Sequence, residues 1–168
     1  RYFESIRYDY PSDNICTPTT NDELFQVMSG GILPSNATQW NWTDIRNVNF
    51  MIARSGNVSG EETAHFVGLA RMVRAYLYYY DKVLRYSNVP WYSRDLQTTD
   101  EDLLYKTQDS RSLVVDSVMA DLNFAVVNMK SNTDRTLFSK EVALALLARI
   151  ALSEASWRKY HAELELND

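Results

Sequence analysis

From Phe66 to Leu84, apolar residues recur at steps of three and four: Phe66, Leu69, Ala70, Val73, Leu77, Tyr80 and Leu84. A strand alternates with a period of two, so this row fits only a long helix that buries one face along its length. Ser59-Gly60-Glu61-Glu62 in front of it reads as a capping box, in which the serine oxygen accepts from an early N–H and Glu62 reaches back. Its end falls near Tyr86, because Pro90 pushes Val89 out of the helical region.

The same period appears elsewhere. Ile45, Met51, Val48 and Ile52 predict a helix from about Thr38 to Arg54, closed by Gly56 and Asn57. Asp109-Ser110 caps a segment from Arg111 to Lys130 whose inward side carries Val115, Val118, Met119, Leu122, Ala125, Val126 and Met129. After a polar turn, Ser139 caps a last helix reaching about Tyr160. Its stretch from Val142 to Ala148 is apolar all round, which predicts packing on several sides and a central place. A short helix is expected at Asp100 to Tyr105, and another near Asp22 to Met28 inside a first stretch that holds three of the four prolines. No run alternates as a strand would. The reading is all-α, with successive antiparallel helices joined by loops in an α-solenoid or bundle. It covers a single helical domain over 1–168, mostly loop over 1–37 and helical scaffold over 38–160.

Charge and chemistry exclude several functions. A net charge of -5, with Lys and Arg scattered among acids, argues against nucleic acid, whose phosphates need clustered cations. No apolar run approaches the ~20 residues that cross a bilayer. Cys16 is the only cysteine, so neither an internal disulfide nor a cysteine zinc site can form. The residues before it, Asp13-Asn14-Ile15, lack a lipid-attachment pattern, and any signal peptide is expected to lie outside this chain. His65 and His161 stand far apart, outside any metalloprotease motif, and no nucleophile elbow, phosphate loop or dinucleotide fingerprint is present. Glu61, Glu62, Asp100, Glu101 and Asp102 are explained as acids at helix starts. The expectation is a non-enzyme with no cofactor and no metal.

Aromatic supply is the unusual feature: eleven Tyr and four Trp. Such side chains offer flat apolar faces with a polar edge, which suits sugar rings. Trp40 and Trp42 follow the loop from Gly30 to Gln39, and Trp91-Tyr92 follow Pro90. Trp40 and Trp42 are the candidate stacking platform, with Asn41, Asp13 and Asn14 as hydrogen-bonding partners for a glycan. Burial is the competing role for each aromatic.

Four blocks in order resemble the SusD/RagB family. They are Trp42-Thr43-Asp44-Ile45-Arg46 with Asn49 and Phe50; Ala70-Arg71 with Arg74-Ala75-Tyr76, then Arg85-Tyr86 and Val89-Pro90-Trp91; Asp109-Ser110-Arg111 through Val114 to Asp121-Leu122 and Ala125; and Ala145 to Leu152 with Trp157-Arg158-Lys159-Tyr160-His161. The likeness runs from about Trp40 to His161. Leu69 stands where the family often has Glu, and Ser87-Asn88 where its turn has Gly-Asp; Asn tolerates the left-handed conformation, so the turn is expected to be kept. Members are much longer than 168 residues, so the resemblance makes this chain the N-terminal portion of a longer SusD-like protein. It implies tetratricopeptide-like helix pairs and an extracellular-facing outer-membrane lipoprotein, anchored by a lipid outside this chain. It further implies capture of oligosaccharides, or peptides in some members, as a lid on a TonB-dependent SusC-like β-barrel transporter. Arg46, Asn49, Arg71, Arg74 and Arg149 are then expected to serve helix packing and hydrogen bonding, because a partly buried Arg must be paired. Two other classes stay open on the residues: a helical-repeat scaffold that grips a protein partner, and an all-α glycosidase with a facing carboxylate pair.

Overall fold

The computed structural model describes residues 40–60, 62–134 and 136–161. The chain divides into two units, Arg1–Trp40 and Asn41–Asp168, and the fold is that of the second. The expected helix at residues 22–28, together with Asp13, Asn14 and Cys16, lies outside the described residues.

Helix α1 is Thr43–Ser55, α2 is Thr63–Tyr76, a π-helical segment follows at Leu77–Val83, and α3 is Leu84–Tyr86. Then come the short α4, Glu101–Leu104, and two long helices, α5 at Arg111–Asn128 and α6 at Lys140–Tyr160. The described residues contain no strand, only an isolated bridge between Val89 and Asp109. The fold is all-α, as the periodicity requires.

Contacts fix the directions. The start of α2 lies beside the end of α5, where Glu62 pairs with Lys130 and the Lys130 N–H donates to His65 Nδ1 at 3.0 Å. Val83, past the far end of α2, accepts from Arg111 at the start of α5. Arg111 in turn pairs with Glu154 late in α6, and the Lys140 N–H opening α6 donates to the Lys130 carbonyl closing the turn of α5. On the other side of α2, Lys82 donates to the Asn41 carbonyl just ahead of α1. Each neighbour is therefore antiparallel, in the row α1, α2, α5, α6, the arrangement of tetratricopeptide-like pairs.

Burial follows from that row. Gly68 lets α2 and α5 approach closely: a Cβ there would come within 2.8 Å of the Met129 side chain. Because α2 is covered by α1 on one side and α5 on the other, it buries two rows rather than the expected single stripe. Ala70, Met72, Arg74, Ala75, Tyr78, Tyr79, Lys82 and Val83 are buried, whereas Phe66 and Leu84 are half exposed. The π-segment explains the shift. At 3.6 residues per turn a step of four drifts by about 40°, so an α-helix could not hold 74-78-82 and 75-79-83 inward together. The underwound turn absorbs that drift and puts Tyr79 and Val83, instead of Tyr80 and Leu84, into the core.

Helix starts differ from expectation too. The Ser59–Glu62 box does not close: Glu62 occupies the N-cap position without a side-chain cap, its carboxylate drawn to Lys130 across the groove. Ser110 caps α5 as read, accepting from the Leu113 N–H at 3.3 Å. Ser139 stands at the N-cap of α6, but its hydroxyl serves the Glu141 carboxylate, which with Ser131 pulls that acid down to about 2.

The last helix is the largest correction. Instead of being central, α6 buries only Ala143, Ile150 and Glu154, while Val142, Leu144 and Leu152 are exposed. Among the described residues its main helical neighbour is α5, with a further contact from Tyr79 of the π-segment to Ser153 at 2.9 Å, so one side is covered and the opposite side is open. Arg46 and Arg149 also point away from the packing. Each falls one residue beside a buried position (Ile45 and Ile150), about 100° around the helix.

Candidate functional site

The helical run ends at Tyr86, and the segment after Pro90 lies along α1 and beside the end of α2. Peptide groups in such a segment need partners unless water reaches them, and here the helices supply them. Tyr78 Oη accepts from the Tyr92 N–H at 2.7 Å and donates to the Pro90 carbonyl at 3.4 Å. Asn49 donates to the Tyr92 carbonyl at 2.9 Å, and Arg74 to the Ser93 carbonyl at 2.8 Å. Asp109 accepts from the Trp91 N–H at 2.6 Å, while Lys106 donates to the Trp91 carbonyl at 3.2 Å. Residues 90–93 are thus pinned at nearly every peptide.

The charge that does the pinning is itself balanced. Arg74 is buried and forks onto Asp121 of α5 at 2.6 and 2.7 Å, with a further bond to Asn49 Oδ1 at 2.7 Å. A bidentate pair with all three guanidinium nitrogens hydrogen-bonded is what makes a buried Arg tolerable. Arg71 is looser: it lies over the Phe124 ring at 4.0 Å and 3.8 Å from Asp121, and its buried Nε has no partner. Burial pushes the Tyr78 hydroxyl well above its ordinary range, so it stays a neutral donor and acceptor. Burial likewise lowers Lys82, whose ammonium donates to the Asn41 carbonyl at 2.6 Å and sits 5.1 Å from the Trp42 ring.

On this frame four aromatic rings form a continuous cluster. Trp42 meets Tyr78 and Tyr92 edge-on with centroids 6.0 and 5.4 Å apart, and Tyr78 lies 4.3 Å from Trp91. Arg74 stands 5.3 Å from the Trp91 ring and Lys106 5.6 Å from Tyr92. In the segment that follows, Ser93, Arg94, Gln97, Thr98 and Thr99 are exposed. Tyr78 at the centre is fully buried, so the partly exposed Trp42, Trp91 and Tyr92 are the rings of the cluster that a polar ring can meet by stacking.

The residues expected from sequence divide. Trp40 is 46% exposed. Trp42 is half-buried in the cluster, and Asn41 is exposed, its Oδ1 accepting from the Thr43 N–H at 2.9 Å at the start of α1. Trp91 and Tyr92, the second aromatic pair, join Trp42 in the same cluster. Asn49 and Arg74 hold the segment, as packing and hydrogen-bonding residues. Sequence reasoning passes over Tyr78 and Lys82 and names Asp121 only within a block of the family resemblance, without a role; a spacing of four from Arg74 to Tyr78 to Lys82 is the available signal, visible only if the helix is allowed to unwind. The histidines are locally engaged: His65 by Lys130, and His161 stacked on Trp157 at 3.8 Å. Among the described residues no group of three His, Cys, Asp or Glu side chains is placed to hold a metal, and no helix is long and apolar enough to cross a membrane.

No family model and no curated protein matches the chain. Solved structures do. One is a SusD-like carbohydrate-binding protein from Bacteroides fragilis, with a TM-score of 0.64 and 21% identity over 88% of this chain and 31% of that one. A second SusD-like protein from Bacteroides fragilis gives a TM-score of 0.58 and 22% identity over 79% of this chain and 29% of the other. The chain therefore spans about a third of the length of the structures it matches, and what it shares with that third is a helical, tetratricopeptide-like fold.

Proposed function

We propose that this chain is the helical, N-terminal part of a longer SusD-like protein that captures oligosaccharides at a bacterial outer-membrane surface without chemistry. It then hands them to a TonB-dependent SusC-like transporter. In this reading the protein is an extracellular-facing lipoprotein whose lipid lies outside this chain. The observation that carries the reading is the likeness of fold to a solved carbohydrate-binding protein across 88% of the chain. The pinned aromatic cluster and the exposed Trp40 beside it in sequence support it. Trp40, Asn41 and Trp42 are the proposed sugar contacts, with Asp13 and Asn14 retained from the sequence as hydrogen-bonding partners.

Calorimetry with a panel of oligosaccharides, on the natural polypeptide, tests the assignment. Trp42 also packs on Tyr78 and Tyr92, so Trp40→Ala is the cleaner variant. Its expected effect is about tenfold weaker binding, or about 1.4 kcal/mol, and loss of Trp42 adds to it. Unchanged affinity in both variants removes the site from these residues.

A helical scaffold that grips a protein is the second reading, favoured by the open apolar face of α6. A blank glycan panel with a copurifying protein partner would put it first.

A further inference from the structure

Two adjacent tyrosines on the π-helical segment face different ways. Tyr79 donates its hydroxyl to Ser153 of α6 at 2.9 Å, on the packing side. Tyr78 turns its hydroxyl toward the segment after Pro90, accepting from the Tyr92 N–H at 2.7 Å and donating to the Pro90 carbonyl at 3.4 Å. Four residues on, the buried Lys82 donates to the Asn41 carbonyl at 2.6 Å and lies 5.1 Å from the Trp42 ring. One turn of helix therefore holds both sides of the aromatic cluster: Tyr78 the segment that carries Trp91 and Tyr92, Lys82 the lead-in to α1 that carries Trp42. Underwound turns of this kind are frequent at functional sites. Lys82 is the more telling of the two. Burial lowers its titration, so keeping an ammonium there subtracts from stability unless its bonds offset the cost. Asn41 is itself exposed, so water is an alternative partner for its carbonyl once the ammonium is gone.

We propose that Tyr78 and Lys82 are the positioning residues of the capture site: from one helical turn they set where Trp42 stands relative to Trp91 and Tyr92, without touching the sugar themselves. The proposal rests on the reading of these rings as part of a site that captures oligosaccharide. Trp42 and Tyr92 already meet edge-on with centroids 5.4 Å apart, and a binding constellation tolerates only about 0.5 Å of misplacement. Releasing either segment therefore costs affinity through lost preorganisation, not through a lost contact with the sugar.

The test places Tyr78→Phe and Lys82→Met in the natural polypeptide. Tyr79→Phe, which removes the neighbouring hydroxyl on the packing side, is the control. Calorimetry with maltoheptaose, cellohexaose and xylohexaose reads affinity, and urea denaturation reads stability. Hydrogen exchange resolved to single amides reads Tyr92, which donates to Tyr78, and Thr43, which donates to Asn41 Oδ1. The expected result is binding roughly three- to tenfold weaker in Tyr78→Phe and Lys82→Met and unchanged in Tyr79→Phe. Faster exchange should be confined to Tyr92 in the first variant and to Thr43 in the second. Lys82→Met should also keep or raise the urea midpoint, an opposition between stability and affinity that a packing role does not produce. Unchanged affinity in both variants overturns the proposal and leaves capture standing. So does affinity lost only in step with a lower midpoint and faster exchange throughout the helices. A parent protein that binds none of the sugars overturns the capture reading and this proposal with it.

Discussion

Helices α5 and α6 are alike in sequence and unlike in surroundings. Each follows a serine, and each carries apolar residues on more than one side. Yet α5 buries Val114, Val115, Val118, Leu122 and Ala125 together with Arg111, Ser112 and Asp121, while α6 buries Ala143, Ile150 and Glu154. The difference is the cover each receives: α5 lies between α2 and α6, while α6 packs mainly on α5, with one contact from Tyr79 to Ser153. Apolar patterning states how much cover a helix demands. It does not state which element provides it.

The most severe way to probe this contrast is through charge. Asp121→Ala leaves Arg74 buried without its fork and should cost about 3–5 kcal/mol, lowering the urea midpoint sharply and freeing the 90–93 segment. Asp116→Ala, on the same helix but 69% exposed and paired with Arg158, should change stability by less than about 1 kcal/mol. Equal effects would mean that the two sides of α5 are not as different as their burial.

Next in size is a pair of leucines. Leu122→Ala empties a fully buried site on α5 and should cost about 2–5 kcal/mol, whereas Leu152→Ala on α6 should fall within about 0.5 kcal/mol in this chain alone. Urea denaturation of the two variants beside the parent chain decides it. A Leu152 effect that is large in this chain alone would break the comparison.

The smallest expected effect concerns how α5 is entered. Ser87, not Asn88, takes the positive φ of the turn, at 63° with ψ at -79°. Asn88 instead accepts from the Arg111 N–H at 3.0 Å and so helps cap α5. A serine in that conformation stores roughly 1 kcal/mol or more of strain. Ser87→Gly should therefore stabilise by about 1 kcal/mol and raise Tm by about 2–4 °C; a lower Tm would show that the serine side chain is needed there.

Much of this architecture was legible from residues. The helix class, the ends at Ser110 and Pro90, and the inward side of α5 all follow from local rules: period, capping and the clash before proline. What was not legible depends on partners distant in sequence. A uniform period of 3.6 places Leu84 inside, but the helix unwinds at Leu77–Val83 and turns it out; Phe66, near the start of α2, is half exposed for a separate reason that its local pattern does not reveal. Glu62 was read as a local cap because nothing in Ser59–Glu62 announces Lys130, sixty-eight residues on. For the site, the aromatic types and the 90–92 segment were visible, but not that Trp42 and Trp91 would share a cluster through Tyr78, which only the antiparallel packing of α1 on α2 produces.

The account's central claim is a scaffold that captures glycan for a membrane transporter. Its most direct test is a mild-detergent pull-down of the tagged natural protein from its own membranes, with the intact mass of every component measured. The account predicts a lipidated polypeptide much longer than 168 residues, accompanied by a large β-barrel and binding oligosaccharide in calorimetry. A short, unlipidated and unaccompanied protein that binds no sugar would contradict it.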